Sequence, residues 1–515
     1  MKRSWKIIFF SLAAYLLLLF ALVAAESNSA GATIHSLWDA VWFSLITMTT
    51  VGYGDLSPVT PAGRVLGLFF ALCSIGILTA LIGIGLRLLS GQVIPALRLR
   101  MGHGRHWYVF HDEDEDSAAL AEALREEDPG CLLLFPEGER KLLSGPDTIR
   151  IDADPARLLK LRGGKTDGCS LFFLGAEPWE NYSRALDALG TGFSVYCMTD
   201  ARSDDASENL HLFNRTEALG RCYWKEQPLR RDERCVVLLG CGSAGSAILE
   251  RAVLTNVIPN VTGVEYHIFD DSASFAALHP AAVRAMAPDN ADEDTLVFHR
   301  EDWREAIPLL QRADRIILCA DEDEQNLTVC EQLQTWFSIP GQIHIRLNEP
   351  VPPLRSFGER RAVFTPEFVM KGALYRQAVA VNDIYNRGSP HPVAWRELGW
   401  FLRESNIAAA DHLIVKIRFL LGDDSLTEAT PELCRRAWER LQDLRPAQDD
   451  LLQLTEHRRW MRFHWLYNWE YAQTRNNPRR RHPLLIPYDE LSEADKKKDM
   501  YAWELLGGLA GEEQP

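Results

Sequence analysis

The chain has 515 residues, of which 47% are hydrophobic and 24% charged, and its formal net charge is −16. That length allows about three or four domains, and the negative balance excludes a general nucleic-acid binder, which needs a basic face for phosphates. The 10 cysteines are scattered without a C-x-x-C pair, which reads as mostly buried free thiols in a reducing compartment rather than a disulfide framework or zinc site.

In chain order, the first predicted element is the apolar run "IIFFSLAAYLLLLFALVAA", Ile7 to Ala25, about the length that crosses a bilayer. A secretory signal is the alternative, since Lys2, Arg3 and Lys6 precede the run. The apolar stretch exceeds a normal signal core, so a span is preferred. A second span is predicted from Val65 to Leu89, with Arg87, Arg98, Arg100 and Arg105 at its far end. Basic residues flank the outer ends of both spans, so both termini are expected in the cytoplasm and the chain in the cell membrane.

Between the spans, "SLWDAVWFSLITMTTVGYGD" predicts a short helix from Leu37 to about Thr49, capped by Ser36 and too short to cross. Two glycines at alternate positions, Gly52 and Gly54, let successive carbonyls point the same way. The run resembles the pore module of potassium channels, over about residues 5 to 97. The resemblance implies a filter at Thr50, Val51, Gly52, Tyr53 and Gly54, with K+ held by Thr50, Val51, Gly52 and Tyr53. It also implies that Trp42, beside Phe43, and Asp55 brace the filter. Ile46 departs from the Glu that some members carry there. Ser74, Gly76 and Gly83 are hinge candidates in the second span, with Gly85 nearby. One loop supplies a quarter of an ion cage, so a homotetramer in a lipid bilayer is implied. No further span carries arginines at every third position, so a voltage sensor is not expected.

From Arg105 short apolar runs alternate with amphipathic stretches, which predicts parallel sheets covered by helices. The first unit, residues 105–203, has the acidic turn "FHDEDEDS", which cannot cradle a pyrophosphate. Its carboxylates are expected to be solvated rather than to gather a cation. Residues 204–233 read as a linker. In residues 234–350, "RCVVLLGCGSAGSAILERAVL" places Gly240, Gly242 and Gly245 between a strand and a helix, and "VEYHIFDDS" ends a second strand at Asp270 and Asp271. This is the dinucleotide pattern: glycines near the pyrophosphate and an acid on the ribose. The pattern resembles the TrkA-N or RCK family of potassium-channel gating rings, over about residues 234 to 386, with 105–203 a degenerate first copy. NAD(H) or another nucleotide is the implied cofactor. Ca2+ at the run Asp321 to Glu324 is the weaker alternative to a solvated surface.

Residues 351–450 read as a helical extension. Residues 451–511 resemble the ryanodine-receptor repeat, a small mainly α domain, on Glu456, His457, Trp460, Trp469, Tyr471, Arg475, His482, Pro483, Pro487 and Leu491. Asn468, Ala472 and Asn476 depart from the family pattern. The ligand candidates there are Trp460, Trp469, Tyr471, Arg475 and His482, with Arg458, Arg459 and Arg479–Arg481 available to clamp phosphate. The alternative reading makes the tryptophans helical-face core. The fold class expected is therefore a membrane α-helical pore module of two spanning helices and a re-entrant pore helix, followed by α/β Rossmann-like domains and a small α domain. The function implied is a prokaryotic K+ channel, not an enzyme, gated by a nucleotide or nucleotide-derived second messenger. The other readings are a membrane-tethered NAD-dependent oxidoreductase, which lacks any Tyr-x-x-x-Lys dyad, and a non-conducting scaffold.

Overall fold

The computed structural model describes the chain apart from residues 1, 50, 89–92, 103, 139–140, 152–153, 201–206, 271–273, 290–292, 340–341, 388 and 512–515, and apart from the side chains of 2–12, 73–78, 80–81, 84 and 87–88. It divides into two compact units, residues 1–103 and 104–515.

The first unit is built from α1 (Lys2–Glu26), α2 (Leu37–Met48) and α3 (Pro61–Leu88), so both predicted spans and the short helix between them are helical. Among the described residues no helix is long and apolar enough to cross a membrane. Helix α2 starts where Ser36 and Asp39 cap each other: the Asp39 amide donates to Ser36 Oγ, and the Ser36 amide donates to Asp39 Oδ2. Its apolar side chains Ala40 and Phe43 pack with Leu19 and Leu22 of α1, Ile34, and Phe70 of α3. Helix α3 continues unbroken past the hinge candidates; the side chains of Ser74 and Gly76 lie outside the described residues, and Gly83 has open space around it. Glu26, missed in the sequence, is fully buried at the end of α1. It accepts hydrogen bonds from the Val59 and Thr60 amides and the Thr60 hydroxyl, at 2.9, 2.9 and 2.6 Å, and so ties α1 to the turn that enters α3.

The second unit contains two six-stranded parallel sheets. The first runs through β1 (Trp107–Phe110), β2 (Leu132–Phe135), β3 (Thr148–Arg150), β4 (Cys169–Phe173), β5 (Ser194–Met198) and β6 (Leu210–Phe213), in the order β3-β2-β1-β4-β5-β6. The second has β7 (Cys235–Leu239), β8 (Glu265–Phe269), β9 (Thr295–His299), β10 (Arg315–Leu318), β11 (Gln342–Arg346) and β12 (Ser356–Phe357). Its order, read from the other edge, is β9-β8-β7-β10-β11-β12. The two orders are the same, and both are the doubly wound arrangement. Strands such as β1, β2, β4 and β7 are buried along their whole length, as parallel strands covered on both faces must be. In the first sheet Phe135, Phe110, Phe172 and Tyr196 stack across four adjacent strands at 4.9, 4.8 and 5.1 Å.

Three expectations change here. Residues 204–233, read as a linker, carry the edge strand β6 and the helix Arg215–Glu226. The signal was short: four residues, "LHLF", with His211 interrupting the apolar run. The second sheet likewise passes residue 350 to take in β12. The acidic turn of the first sheet is not a solvated loop either. Glu113 pairs with Arg150 at 2.6 Å, Asp114 caps the helix Glu115–Glu127, and Asp116 meets Arg215 at 2.8 Å and Arg360 at 2.9 Å. The carboxylates of Glu113, Asp114 and Asp116 diverge to separate partners.

The C-terminal third is not a detached domain. The helix Asp449–Leu466 supplies Met461, Phe463 and Leu466 to the same core as Leu238 and Ile248 of the second sheet unit. Buried charges line the helix. Glu456 sits between Lys416 at 2.9 Å and Arg459 at 2.6 Å, and Glu293 takes Arg458 at 3.0 Å and Arg462 at 2.8 Å. Asn468, where the resemblance leads one to expect glycine, has φ of +59°, a left-handed conformation that Asn tolerates.

Candidate functional site

Two regions brought together residues that the sequence singled out. The first is the loop after α2. The Val51 and Gly52 amides both donate to the Ile46 carbonyl, at 3.0 and 3.2 Å, which turns the chain back on the helix end. Gly52 and Gly54 have φ of +55° and +76°, a region that costs other L-residues roughly 1–2 kcal/mol. Trp42 Nε1–H donates to Asp55 Oδ2 at 3.1 Å, and the Trp42 ring lies 6.4 Å from that of Tyr53 with 11° between their planes. Thus Trp42, Tyr53 and Asp55 form one brace, while Thr50 lies outside the described residues. Val51 and Tyr53 are 52% and 70% exposed. Trp42→Phe keeps the ring stack and removes the bond to a charged acceptor, worth about 1.5–3 kcal/mol. The expected outcome is a lower K+-over-Na+ flux ratio in liposomes.

The second region is the glycine-rich turn between β7 and the helix Ser243–Thr255. A Cβ on Gly245 would meet the Gly240 carbonyl oxygen at 2.2 Å, so this position allows the helix to close on the strand. Gly240 and Asp270 line one cleft of about 640 Å³; Asp271 lies outside the described residues. The anion seat of the turn is covered from within. Asp321 accepts from the Ser243 hydroxyl and the Ala244 amide at 3.3 Å each, and a Cβ on Gly242 would meet its Oδ2 at 2.5 Å. The cleft is acidic as well, with Glu301, Asp302, Glu322 and Glu324 against Arg304, which Asp302 engages at 2.8 Å. The run Asp321 to Glu324 therefore does not converge on a cation. Asp323 turns away to Arg346 and to the Asn348 amide.

The C-terminal candidates lie near one another but differ in exposure. Trp460, Trp469 and His482 meet in one aromatic cluster, with His482 4.9 Å from Trp460 and 6.2 Å from Trp469. Trp469 is 4% exposed and stacks on Phe401 at 5.3 Å, so its faces are taken by the core rather than open to a base. Burial pushes the imidazoles of His464 and His482 down, to about 3 and about 4, which keeps both neutral and unfit to clamp phosphate. Tyr471, the register partner of His482, and Arg475 are exposed. Arg458 and Arg459 are buried and paired with Glu293 and Glu456, so they are not free phosphate ligands. What the sequence did not reveal is a cavity of about 740 Å³ bounded by the end of β6, the helix Ser243–Thr255 and the helix Trp400–Leu421. Trp400 and Arg480 lie on its wall with the guanidinium 5.8 Å from the ring.

The family model described as Ion_trans_2, ion channel, matches residues 7–90. Residues 7–90 thus resemble ion-channel pore domains. The chain is 45% identical over 64 residues to a voltage-gated potassium channel of Aeropyrum pernix, covering 12% of this chain and 22% of that one. A longer match, 38% identical over 212 residues, is to potassium voltage-gated channel subfamily A member 5 of Mus musculus, over 40% of this chain and 30% of that one. The chain thus spans between a fifth and a third of the length of these relatives. Among solved structures, the GsuK channel covers 69% of this chain and 95% of its own at 13% identity with a TM-score of 0.36. GsuK bound to NAD covers 82% and 85% at 12% identity with a TM-score of 0.30.

Proposed function

We propose that four copies of this chain form a K+-selective channel in the cell membrane, gated by a nucleotide-type ligand that the cytoplasmic body senses. The observation that carries the reading is the pore loop: two glycines in left-handed conformations at alternate positions, braced by Trp42 on Tyr53 and Asp55. Such a loop presents carbonyls in one direction, the chemistry that replaces the water shell of K+. The exposed Val51 and Tyr53 are the surfaces that fourfold assembly would cover. The 25 and 28 residues of α1 and α3 make helices about 37 and 42 Å long against a hydrocarbon layer of about 30 Å, and their apolar character is read from the sequence, since many of their side chains lie outside the described residues. Ligand would shift the pore by its differential affinity for the two states.

The test is K+ flux from liposomes holding the purified protein, with NAD(H), ADP, ATP, cyclic nucleotides, ADP-ribose derivatives and Ca2+ on the cytoplasmic side. A K+-selective flux switched by one ligand supports the reading. Flux that none of them moves removes the nucleotide-gating half. Hydride transfer without flux would favour the oxidoreductase, and no flux at all the scaffold.

The glycine turn and the 740 Å³ cavity are the two places where such a ligand would be read. At the turn a pyrophosphate must displace the Asp321 carboxylate, and like charges side by side cost several kcal/mol. Asp321→Asn is therefore expected to tighten NAD(H) or ADP by at least about tenfold, about 1.4 kcal/mol, measured by calorimetry. An unchanged affinity in Asp321→Asn, together with loss of binding in Arg480→Ala, would move the ligand to the cavity.

A further inference from the structure

A second cluster lies on the other face-forming residues of the same sheet. Cys235 on β7 is the register partner of Glu265 on β8, and His267 follows two residues on along the same face. One ligand atom from each, a sulfur, a carboxylate oxygen and a ring nitrogen, lies within 4.8 Å of the others. Cys235 and His267 are buried, while Glu265 opens to solvent. A row of contacts leads away from them. His267 Nε2 is 3.2 Å from Glu265 Oε2, His267 Nδ1 is 2.9 Å from His299 Nε2, and His299 Nδ1 is 2.8 Å from Glu301 Oε1.

That row has a carboxylate at each end and two imidazoles between, so its three contacts need three hydrogens, and two neutral imidazoles carry only two. When His299 donates to Glu301 and His267 donates to His299, the Nε2 lone pair of His267 faces a carboxylate oxygen. That contact is completed either by a third hydrogen, on an imidazolium, or by a metal ion held between the two. We propose that this position is a binding site for a divalent transition-metal ion of the Zn2+ class, held by the Cys235 thiolate, the Glu265 carboxylate and His267 Nε2. Sulfur, nitrogen and oxygen donors in one set are what Zn2+ and Co2+ take. His299 and Glu301 then fix the tautomer and ring orientation of His267, as outer-shell partners of metal-bound histidines do. Binding exchanges the thiol proton of Cys235 for the sulfur–metal bond and releases that proton to solvent. Arg312, 58% exposed, reaches Glu265 Oε2 at 3.3 Å from the open side and swings out as the ion enters. The ligands come from two strands and are 30 residues apart in sequence at their closest crossing, Cys235 to Glu265, which is why no compact cysteine motif announces them.

The experiment is Co2+ titration of the full-length protein in detergent, followed by Zn2+ competition. The expected result is a thiolate-to-Co2+ charge-transfer band that saturates at one ion per chain and is bleached by Zn2+. It should be absent in Cys235→Ser and unchanged in Cys222→Ser. His299→Ala, which removes no ligand, should weaken Co2+ by about 10- to 100-fold. A missing band, or one of equal affinity in Cys235→Ser or His267→Gln, overturns the assignment. Should Cys235→Ser fail to fold, Glu265→Gln and His267→Gln must each lower the affinity, and an unaltered titration in both rejects the site.

Discussion

Glu456→Gln is expected to destabilise the second unit by about 3–5 kcal/mol, the cost of leaving buried charges without their partner. Glu456 is 3% exposed, and both Lys416, fully buried, and Arg459, 4% exposed, rely on its carboxylate. Glutamine keeps the shape and one acceptor but removes the charge that both cations face. Urea unfolding followed by tryptophan fluorescence measures the loss, and Trp503, whose indole donates to the Leu452 carbonyl at 2.8 Å, reports from the same core. An effect below about 1 kcal/mol, the scale of an exposed pair, would show that the cluster carries no such burden. The carboxylate also sets a pH dependence. Burial works against its ionisation, but Arg459 and Lys416 outweigh it and hold the group at about 2, against an ordinary value of 4.5. A depressed carboxyl contributes stability that is complete above the unfolded value and lost as pH falls through the folded one. Stability should therefore fall between about pH 4.5 and pH 2, and Glu456→Gln should flatten that part of the profile.

The second large effect is expected in the pore loop. Gly54→Ala places a Cβ at φ +76°, where an L-residue pays roughly 1–2 kcal/mol; the loop relieves it by rotating a carbonyl out of line. Since every subunit of the proposed tetramer carries the change, the expected result is loss of K+-selective flux while the protein still elutes as an assembled oligomer. Retained selectivity would sink the filter assignment. A collapse of assembly would be separated from it by Gly190→Ala, a change in the second unit at a helical glycine with open space around it, which should assemble and conduct.

Local signals carried most of what the sequence revealed. The strand runs "WYVF", "CLLLF" and "CSLFFLG" are short, apolar and bounded by helices, and they became β1, β2 and β4. The turn after α2 was legible because Gly52 and Gly54 sit at alternate positions directly after a helical run. What escaped were the partners. Nothing in "FHDEDEDS" says that Asp116 will meet Arg360, 244 positions away, so a run of acids read as solvated. Asp321 gave no hint that it would cover the glycine turn, because β7 and β10 become neighbours only once the sheet order reverses between them. Trp469 looked like a stacking face because an aromatic ring is equally suited to a ligand and to a core, and only its contact with Phe401 decides between them.

The core that joins the C-terminal third to the second sheet has a mechanical consequence. Phe463, Leu466 and Trp469 are packed into the same interior as Val236 and Ile268, and close-packed interiors resist shear. The C-terminal segment has no bearing on which to swing. A ligand that engaged it would move the second sheet and the C-terminal third as one stiff piece, and nothing in that shared core would yield as a joint.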